Sequence, residues 1–197
     1  MPGTPEGGAE GRVFIRPPTA ADESAYVAAV RRSADLIRPW NPVASRPADF
    51  RRLLTEITLA DAESYFIVDR ADDGLAALVN IRGITRARFQ NASVGYNAYL
   101  PYAGTGRTRE GMELIVAHCF DATDGLGLHR LEINVQPANE PSRALARRLG
   151  FRLEGTSPRM LYLNGAWRDH ERYALTVEDW AQRCGTAHSS ESGRMSG

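Results

Sequence analysis

VGYNAYLPYAGTGRTREGMELIVAHCF, residues 94–120, is the stretch whose reading decides the fold. It opens as a strand with Val94, Tyr96, Tyr99 and Leu100, turns through Pro101 and a Gly-x-Gly pair, and closes with Met112, Ile115, Val116, Cys119 and Phe120 at helical spacing. A strand, a glycine turn and an amphipathic helix thus follow one another without a break. Gly104 and Gly106 let the main chain bend tightly and come within contact distance of a ligand. The first amides of the helix have no intrahelical acceptor and lie at its positive end. Such a turn suits a phosphate, and it equally well ends strands that bind nothing.

Downstream, residues 127–151 read GLHRLEINVQPANEPSRALARRLGF. Leu131 to Val135 form a strand, and Asn139, Pro141 and Ser142 open a short helix that ends at Gly150. Asn is a good helix cap and Ser is ordinary in a first turn, so these residues alone do not specify a ligand. Together with the glycine turn, however, the segment resembles the GNAT superfamily of acetyl-CoA-dependent N-acetyltransferases. GFRLEG at Gly150 to Gly155, YLNGAWRDHERYAL at Tyr162 to Leu175 and LIRPW at Leu36 to Trp40 are similar to its RimJ/RimL branch, the ribosomal-protein N-terminal acetyltransferases. The resemblance runs over residues 12–180. One position departs from it: the place usually held by Gln or Arg, three residues before the first fixed glycine, is Pro101.

The resemblance implies an α+β fold, with a mixed, splayed, mostly antiparallel sheet of about seven strands flanked by helices. It also implies acetyl-CoA as co-substrate and direct attack by an amine in a ternary complex. In that frame the amides around Gly104, Thr105, Gly106, Arg107 and Thr108 hold the pyrophosphate. A main-chain amide near Tyr99 or Leu100 meets the thioester oxygen and the pantetheine arm, in a strand that the superfamily splays with a bulge. Asn139 meets the pantetheine, and Ser142 protonates the departing thiolate. Trp40 and Tyr96 wall the acceptor side. Arg107 also reads as a solvated surface arginine, and Trp40 as a packed loop anchor.

A base is harder to read. Glu132 alternates with Leu131 and Ile133, so it points away from the apolar face, towards the splay or towards solvent. An amine with a pKa near 8, typical of a protein N-terminus, needs little help, so deprotonation relayed by water is the default. His170 beside Asp169 is not read as a dyad, because adjacent strand residues face opposite sides. The acceptor reading is a protein N-terminal α-amine, with a small amine (antibiotic, polyamine or peptide toxin) as the alternative. A non-catalytic acyl-CoA-binding module is the reading from another class.

Composition narrows the partners. The 197 residues hold 24 Lys+Arg against 24 Asp+Glu, so no net field steers the chain to nucleic acid or membrane. Every one of those basic residues is Arg, the usage of a GC-rich bacterial genome. Cys119 and Cys184 fit neither a metal nor a disulfide pattern, so no metal is expected. No apolar run reaches the roughly 18 residues of a membrane span, and the start MPGTPEGGAEG has no signal-peptide character, so a cytoplasmic location is expected. The expected organisation is a disordered 1–11, one domain over 12–184 and a loose tail over 185–197, as monomer or homodimer.

The remaining elements follow from local chemistry. Val13 to Ile15 form a short strand, and Thr19 with Asp22 and Glu23 starts a helix. Pro47 opens a second helix, burying Phe50, Leu53, Leu54 and Ile57. Tyr65 to Val68 and Leu75 to Ile84 pair across the turn at Ala71 to Gly74, and RARFQNA interrupts pairing before the Val94 strand. Strands over Phe151 to Glu154, Met160 to Leu163 and Trp167 to Leu175 follow, the last two joined by Asn164-Gly165. Thr176 caps a final helical turn.

Overall fold

Seven strands make one sheet in the order β1-β2-β3-β4-β5-β7-β6. The computed structural model describes residues 11–192, with side chains as far as residue 185. The stretches 1–10 and 193–197, part of the segments expected to be disordered or loose, lie outside the described residues. The strands are β1 Val13–Arg16, β2 Ala62–Asp69, β3 Leu75–Thr85, β4 Asn91–Ala98, β5 Arg130–Val135, β6 Arg152–Leu163 and β7 Ala166–Thr176. The helices are α1 Glu23–Arg32, α2 Ala34–Ile37, α3 Pro47–Glu56, α4 Arg107–Phe120, α5 Glu140–Arg148 and α6 Val177–Ser192. A 3-10 turn at Ala20–Asp22, capped by Thr19, leads into α1.

All neighbouring strands are antiparallel except β4 and β5. That parallel pair is the crossover made by α4, and it holds at only three positions, Asn91↔Arg130, Ala92↔Leu131 and Ser93↔Glu132. Beyond Ser93 the two strands diverge. β4 itself stays in regular register with β3 from Ser93 to Ala98, and the irregularity lies on β3 between Arg82 and Thr85. The wedge thus opens without a bulge in β4 opposite β3.

Each face of the sheet has its own core. Val79, Ile81, Val94, Leu131, Ile133 and Tyr173 pack with Met112, Ile115, Val116 and Cys119 of α4. These four helix side chains are fully buried, and Met112, Ile115 and Val116 each contribute roughly 1.5–3 kcal/mol on the usual scale for apolar burial. α4 approaches β2 so closely that a Cβ on Gly111 would lie 2.4 Å from the Ile67 side chain. On the other face Tyr26, Phe50 and Phe66 stack, with centroids 4.8 Å apart for Tyr26 and Phe50 and 6.4 Å for Phe50 and Phe66. Helices α1 to α3 therefore cover the β1–β4 end of that face, which keeps the mouth of the wedge beside the loop after α2.

Several boundaries differ from the sequence reading. β4 begins at Asn91 and ends at Ala98, so Tyr99 and Leu100 belong to the turn. The segment around Leu36 contains a short helix, α2. β6 is one long strand, kept continuous by irregularities near Gly155 and between Ser157 and Leu161. The last helix runs to Ser192, well beyond one turn, so part of the expected loose tail at 185–197 is helical.

Candidate active site

The glycine turn forms the floor of the wedge. The peptide before Pro101 is cis, Gly104 has φ +81° and Gly106, the residue preceding α4, has φ +89°. Both are left-handed conformations that favour glycine. Thr105 fixes the bend by donating from its amide and hydroxyl to the Tyr102 carbonyl at 3.1 and 2.6 Å. Above it the first amides of α4 lack intrahelical acceptors. A Cβ added at Gly104 would meet no protein atom within 4 Å, so the space over this turn is free for a ligand.

Three contiguous cavities follow the wedge. A cleft of about 340 Å³ runs from this turn to α2, lined by Gly104, Gly106, Thr108, Asn139, Ser142, Tyr96 and Trp40 among others. An outer basin reaches Thr105 and is lined by Arg12, Arg109 and Arg148 together with Glu110 and Glu113. A smaller cavity of about 190 Å³ lies on the α1–α3 side, between Trp40, Asn41, Ser93, Asn134, Gln136, Leu161, Leu163 and His170. Trp40, Asn41, Tyr96, Asn139 and Ser142 belong to both the cleft and the small cavity. The cleft and the small cavity therefore meet at these side chains.

At that meeting point the Tyr96 hydroxyl lies 2.7 Å from Ser142 Oγ. Burial pushes the Tyr96 phenol up to about 12, so it stays protonated at neutral pH and keeps a proton to donate. Asn139 caps α5 by accepting from the Ser142 amide at 3.2 Å, which occupies its Oδ1 and leaves Nδ2 for a ligand. Capping and ligand contact, alternatives in the sequence, are compatible here. The pair Tyr96–Ser142 can hand a proton to a leaving group in the cleft.

Other expected site residues are engaged elsewhere. The Tyr99 amide donates to Ala76 O at 2.8 Å and the Leu100 amide to Ser33 Oγ at 2.9 Å, so neither is free for a thioester. The Tyr99 ring is fully buried in the core on the α1–α3 face. Because Tyr99 bonds to β3, alternation turns the main-chain groups of Tyr96 and Ala98 to the open side. Arg107 is held by an ion pair with buried Asp69, whose carboxyl it pulls below the usual range, and its guanidinium lies 5.6 Å from the Tyr102 ring centroid. It is not the free phosphate cation expected. Glu132 is bridged by Arg130 at 3.1 Å and Arg172 at 3.0 Å and lines none of the three cavities, so it is a structural ion pair and not a base.

Two site residues escaped the sequence reading. Arg148, in the last turn of α5, lines both the cleft and the outer basin. Its i to i+3 and i+4 relation to Leu145 and Ala144, on the helix that starts at Asn139, was the available signal. His170 lines the small cavity; its neighbour Asp169 accepts from the Arg159 amide at 2.7 Å, so the two form no dyad, as the strand alternation required.

A splayed sheet with a main-chain anion cradle on one side, a small polar chamber on the other and a hydroxyl pair between them defines a group-transfer enzyme that joins two substrates through one opening. The chain matches the acetyltransferase (GNAT) domain family over residues 12–152 and belongs to it. It is an N-acetyltransferase that uses acetyl-CoA. It is 27% identical over 152 residues to the [ribosomal protein uS5]-alanine N-acetyltransferase of Escherichia coli, covering 73% of this chain and 77% of that protein. It is 28% identical over 177 residues to the "Probable N-acetyltransferase YjcK" of Bacillus subtilis, covering 85% and 95%. Among solved structures, Mycobacterium smegmatis RimJ in complex with CoA-disulfide superposes with a TM-score of 0.77 at 29% identity over 89% of each chain.

The residues present fit the acetyl donor. Thr108 Oγ1 is buried in the cleft wall with no hydrogen-bond partner among the described residues, an orphan that a phosphate oxygen or bound water would satisfy. Arg109 and Arg148 are the charged residues among those lining the cleft, and no carboxylate lines it. No helix among the described residues is long and apolar enough to cross a membrane, and no metal-binding cluster occurs among them.

Proposed function

We propose that this chain acetylates the α-amine of a protein N-terminus in the cytoplasm, with a ribosomal protein as the acceptor class. The observation that carries this reading is the small cavity: about 190 Å³, walled by amide and hydroxyl side chains interleaved with apolar ones such as Leu161 and Leu163, with no carboxylate among its lining residues. A polyamine presents several positive charges, and burying them without a counter-charge is costly. An aminoglycoside is both highly cationic and too large for that volume. A chain terminus with a small first residue brings one amine and a run of peptide groups, which Asn41, Asn134 and Gln136 can meet as donors and acceptors. The named activity of the Escherichia coli relative supports the same acceptor class.

In this reading the amides of Gly106 to Arg109 and the guanidinium of Arg148 hold the pyrophosphate of acetyl-CoA. The main-chain groups of Tyr96 and Ala98 pair with the pantetheine arm along the open edge of β4, and Asn139 Nδ2 meets the same arm. The amine nitrogen attacks the thioester carbonyl from the small cavity. As the carbon–sulfur bond breaks, Ser142 gives its proton to sulfur and Tyr96 replaces it.

A thiol-release assay with acetyl-CoA tests the acceptor. The panel comprises peptides beginning with Ala, Ser or Met, spermidine and an aminoglycoside. The peptides with small first residues are expected to turn over, with an acetyl group found on the α-nitrogen by mass spectrometry. Preference for spermidine or the aminoglycoside would overturn the reading.

A further inference from the structure

We propose that His170 is the general base of the reaction, accepting the proton of the acceptor ammonium on Nε2. The proposal deepens the amine-acetylation reading above and rests on it. Alternation along β7 sends Tyr173 and Leu175 into the α4 core, so His170 faces the opposite side, where the acceptor cavity lies. Its ring is nearly sealed from bulk solvent, at 2% exposure, yet forms part of that cavity's wall together with Ser142.

The tautomer follows from one contact. His170 Nδ1 lies 3.0 Å from the Arg168 carbonyl oxygen, and a carbonyl only accepts, so Nδ1 carries the hydrogen. In a neutral imidazole the other nitrogen must then be the acceptor. Nε2 has no hydrogen-bond partner among the described residues and is not among the buried orphan atoms, so it opens to the cavity. Burial pushes the imidazole below its ordinary value, which keeps it neutral, and able to accept, at pH 7.

Burial outweighs the opposing pull of the Arg168 carbonyl and the Asp169 charge, so the ring stays neutral. Arg168 and Arg172 share its face of β7, and Arg172 is paired with Glu132 of β5. Asp169 turns away to the Arg159 amide, Ser157 of β6 stands directly opposite, and the loop after α2 presents the neutral Trp40 and Asn41. No carboxylate lines the cavity to draw a proton onto the ring. The proton balance closes. Of the two protons the ammonium loses in becoming an amide, one passes through Nε2 to solvent. The other leaves nitrogen after the carbon–nitrogen bond forms and restores to the Tyr96–Ser142 pair the proton that Ser142 gives to sulfur.

The test compares wild type with His170→Gln on the amine that the wild type turns over best. At pH 7, kcat/KM is expected to fall about tenfold, because about a tenth of an amine of pKa near 8 is neutral there, with recovery above pH 9, where the amine loses its proton unaided. The Kd for acetyl-CoA should stay unchanged. An identical pH profile in the two proteins would overturn the proposal, as would a loss that does not recover at high pH. Nitrogen-15 NMR of the labelled wild type provides a readout independent of turnover. The Nδ1–H tautomer at pH 7 is expected, and an Nε2–H tautomer or an imidazolium there would overturn the proposal. If the best amine is not a chain terminus, the acceptor reading fails while the His170 comparison still stands.

Discussion

The two sides of the wedge are built from different materials. The donor side is main chain: a turn of eight residues, Tyr102 to Arg109, supplies its bends and amides from one continuous segment. The acceptor side is side chain, gathered from the loop after α2, from β4, β5, β6 and β7 and from α5. A peptide amide is the same in every sequence that keeps the two glycines. A wall of Asn134, Gln136, Leu161 and Leu163 can change one residue at a time without touching the grip on the acetyl donor. Specificity for the amine is thus separable from affinity for the coenzyme, and substitutions can show how complete that separation is.

The largest effect is expected where the two sides meet. Ser142→Ala should lower turnover about a hundredfold, the low end for lost general-acid help because a thiolate is a tolerable leaving group. The Kd for acetyl-CoA, measured on the same preparation, should hold. Equal turnover would remove the Tyr96–Ser142 pair from the chemistry. Next comes the donor floor. Gly106→Val places a Cβ 3.2 Å from Arg12 Nη2 in a left-handed conformation. Calorimetry should show acetyl-CoA binding about tenfold weaker, about 1.4 kcal/mol. Unchanged affinity in the folded variant would sink the cradle.

Arg148→Ala should weaken acetyl-CoA binding about fivefold, roughly 1 kcal/mol for a partly solvated charge, and should flatten the salt dependence of Kd. A change in acceptor KM alone would place Arg148 on the wrong side of the comparison. The smallest effect on binding is expected from replacing the Arg107–Asp69 pair together, as Arg107→Met with Asp69→Asn. Here Kd should shift by no more than about twofold, because the arginine is already committed to Asp69. Stability should respond instead. Asp69 has a depressed folded-state pKa, so its pairing stabilises the native chain above the ordinary carboxylate pKa near 4 and fades as pH falls towards the folded value. The double variant should lack that part of the acid-induced loss, readable as a Tm profile between pH 5 and pH 2.

The same division explains what was legible in the sequence. Gly104, Gly106 and the α4 stripe were readable because turn, cap and helix are local consequences of adjacent residues. So were the Asn164-Gly165 hairpin and the Asn139 start of α5. The fold class followed from these segments together with the family resemblance. Arg107 was misjudged because its partner, Asp69, lies 38 residues away across the fold. The amides of Tyr99 and Leu100, read as free for the coenzyme, are engaged within the protein, since which half of a strand's amides faces outward depends on register parity with β3. Glu132 was correctly read as pointing off the apolar face. Its two arginine partners, Arg130 beside it and Arg172 forty residues on, could not be ranked from order alone. His170 was legible only as half of a rejected dyad; its cavity is made by the placement of β7 beside β5.

The three-residue contact between β4 and β5 has a kinetic corollary. Past Ser93 the outward N–H groups of Tyr96 and Ala98 have no strand across from them, so in the free enzyme they should trade hydrogen for deuterium quickly despite sitting in the middle of the sheet. Their neighbours Asn97 and Gly95, bonded to β3, should be slow. An acetyl-CoA arm lying along that edge acts as a transient extra strand and would slow Tyr96 and Ala98 alone. The coenzyme would then leave a two-residue, every-other-amide protection footprint in a sheet otherwise unchanged.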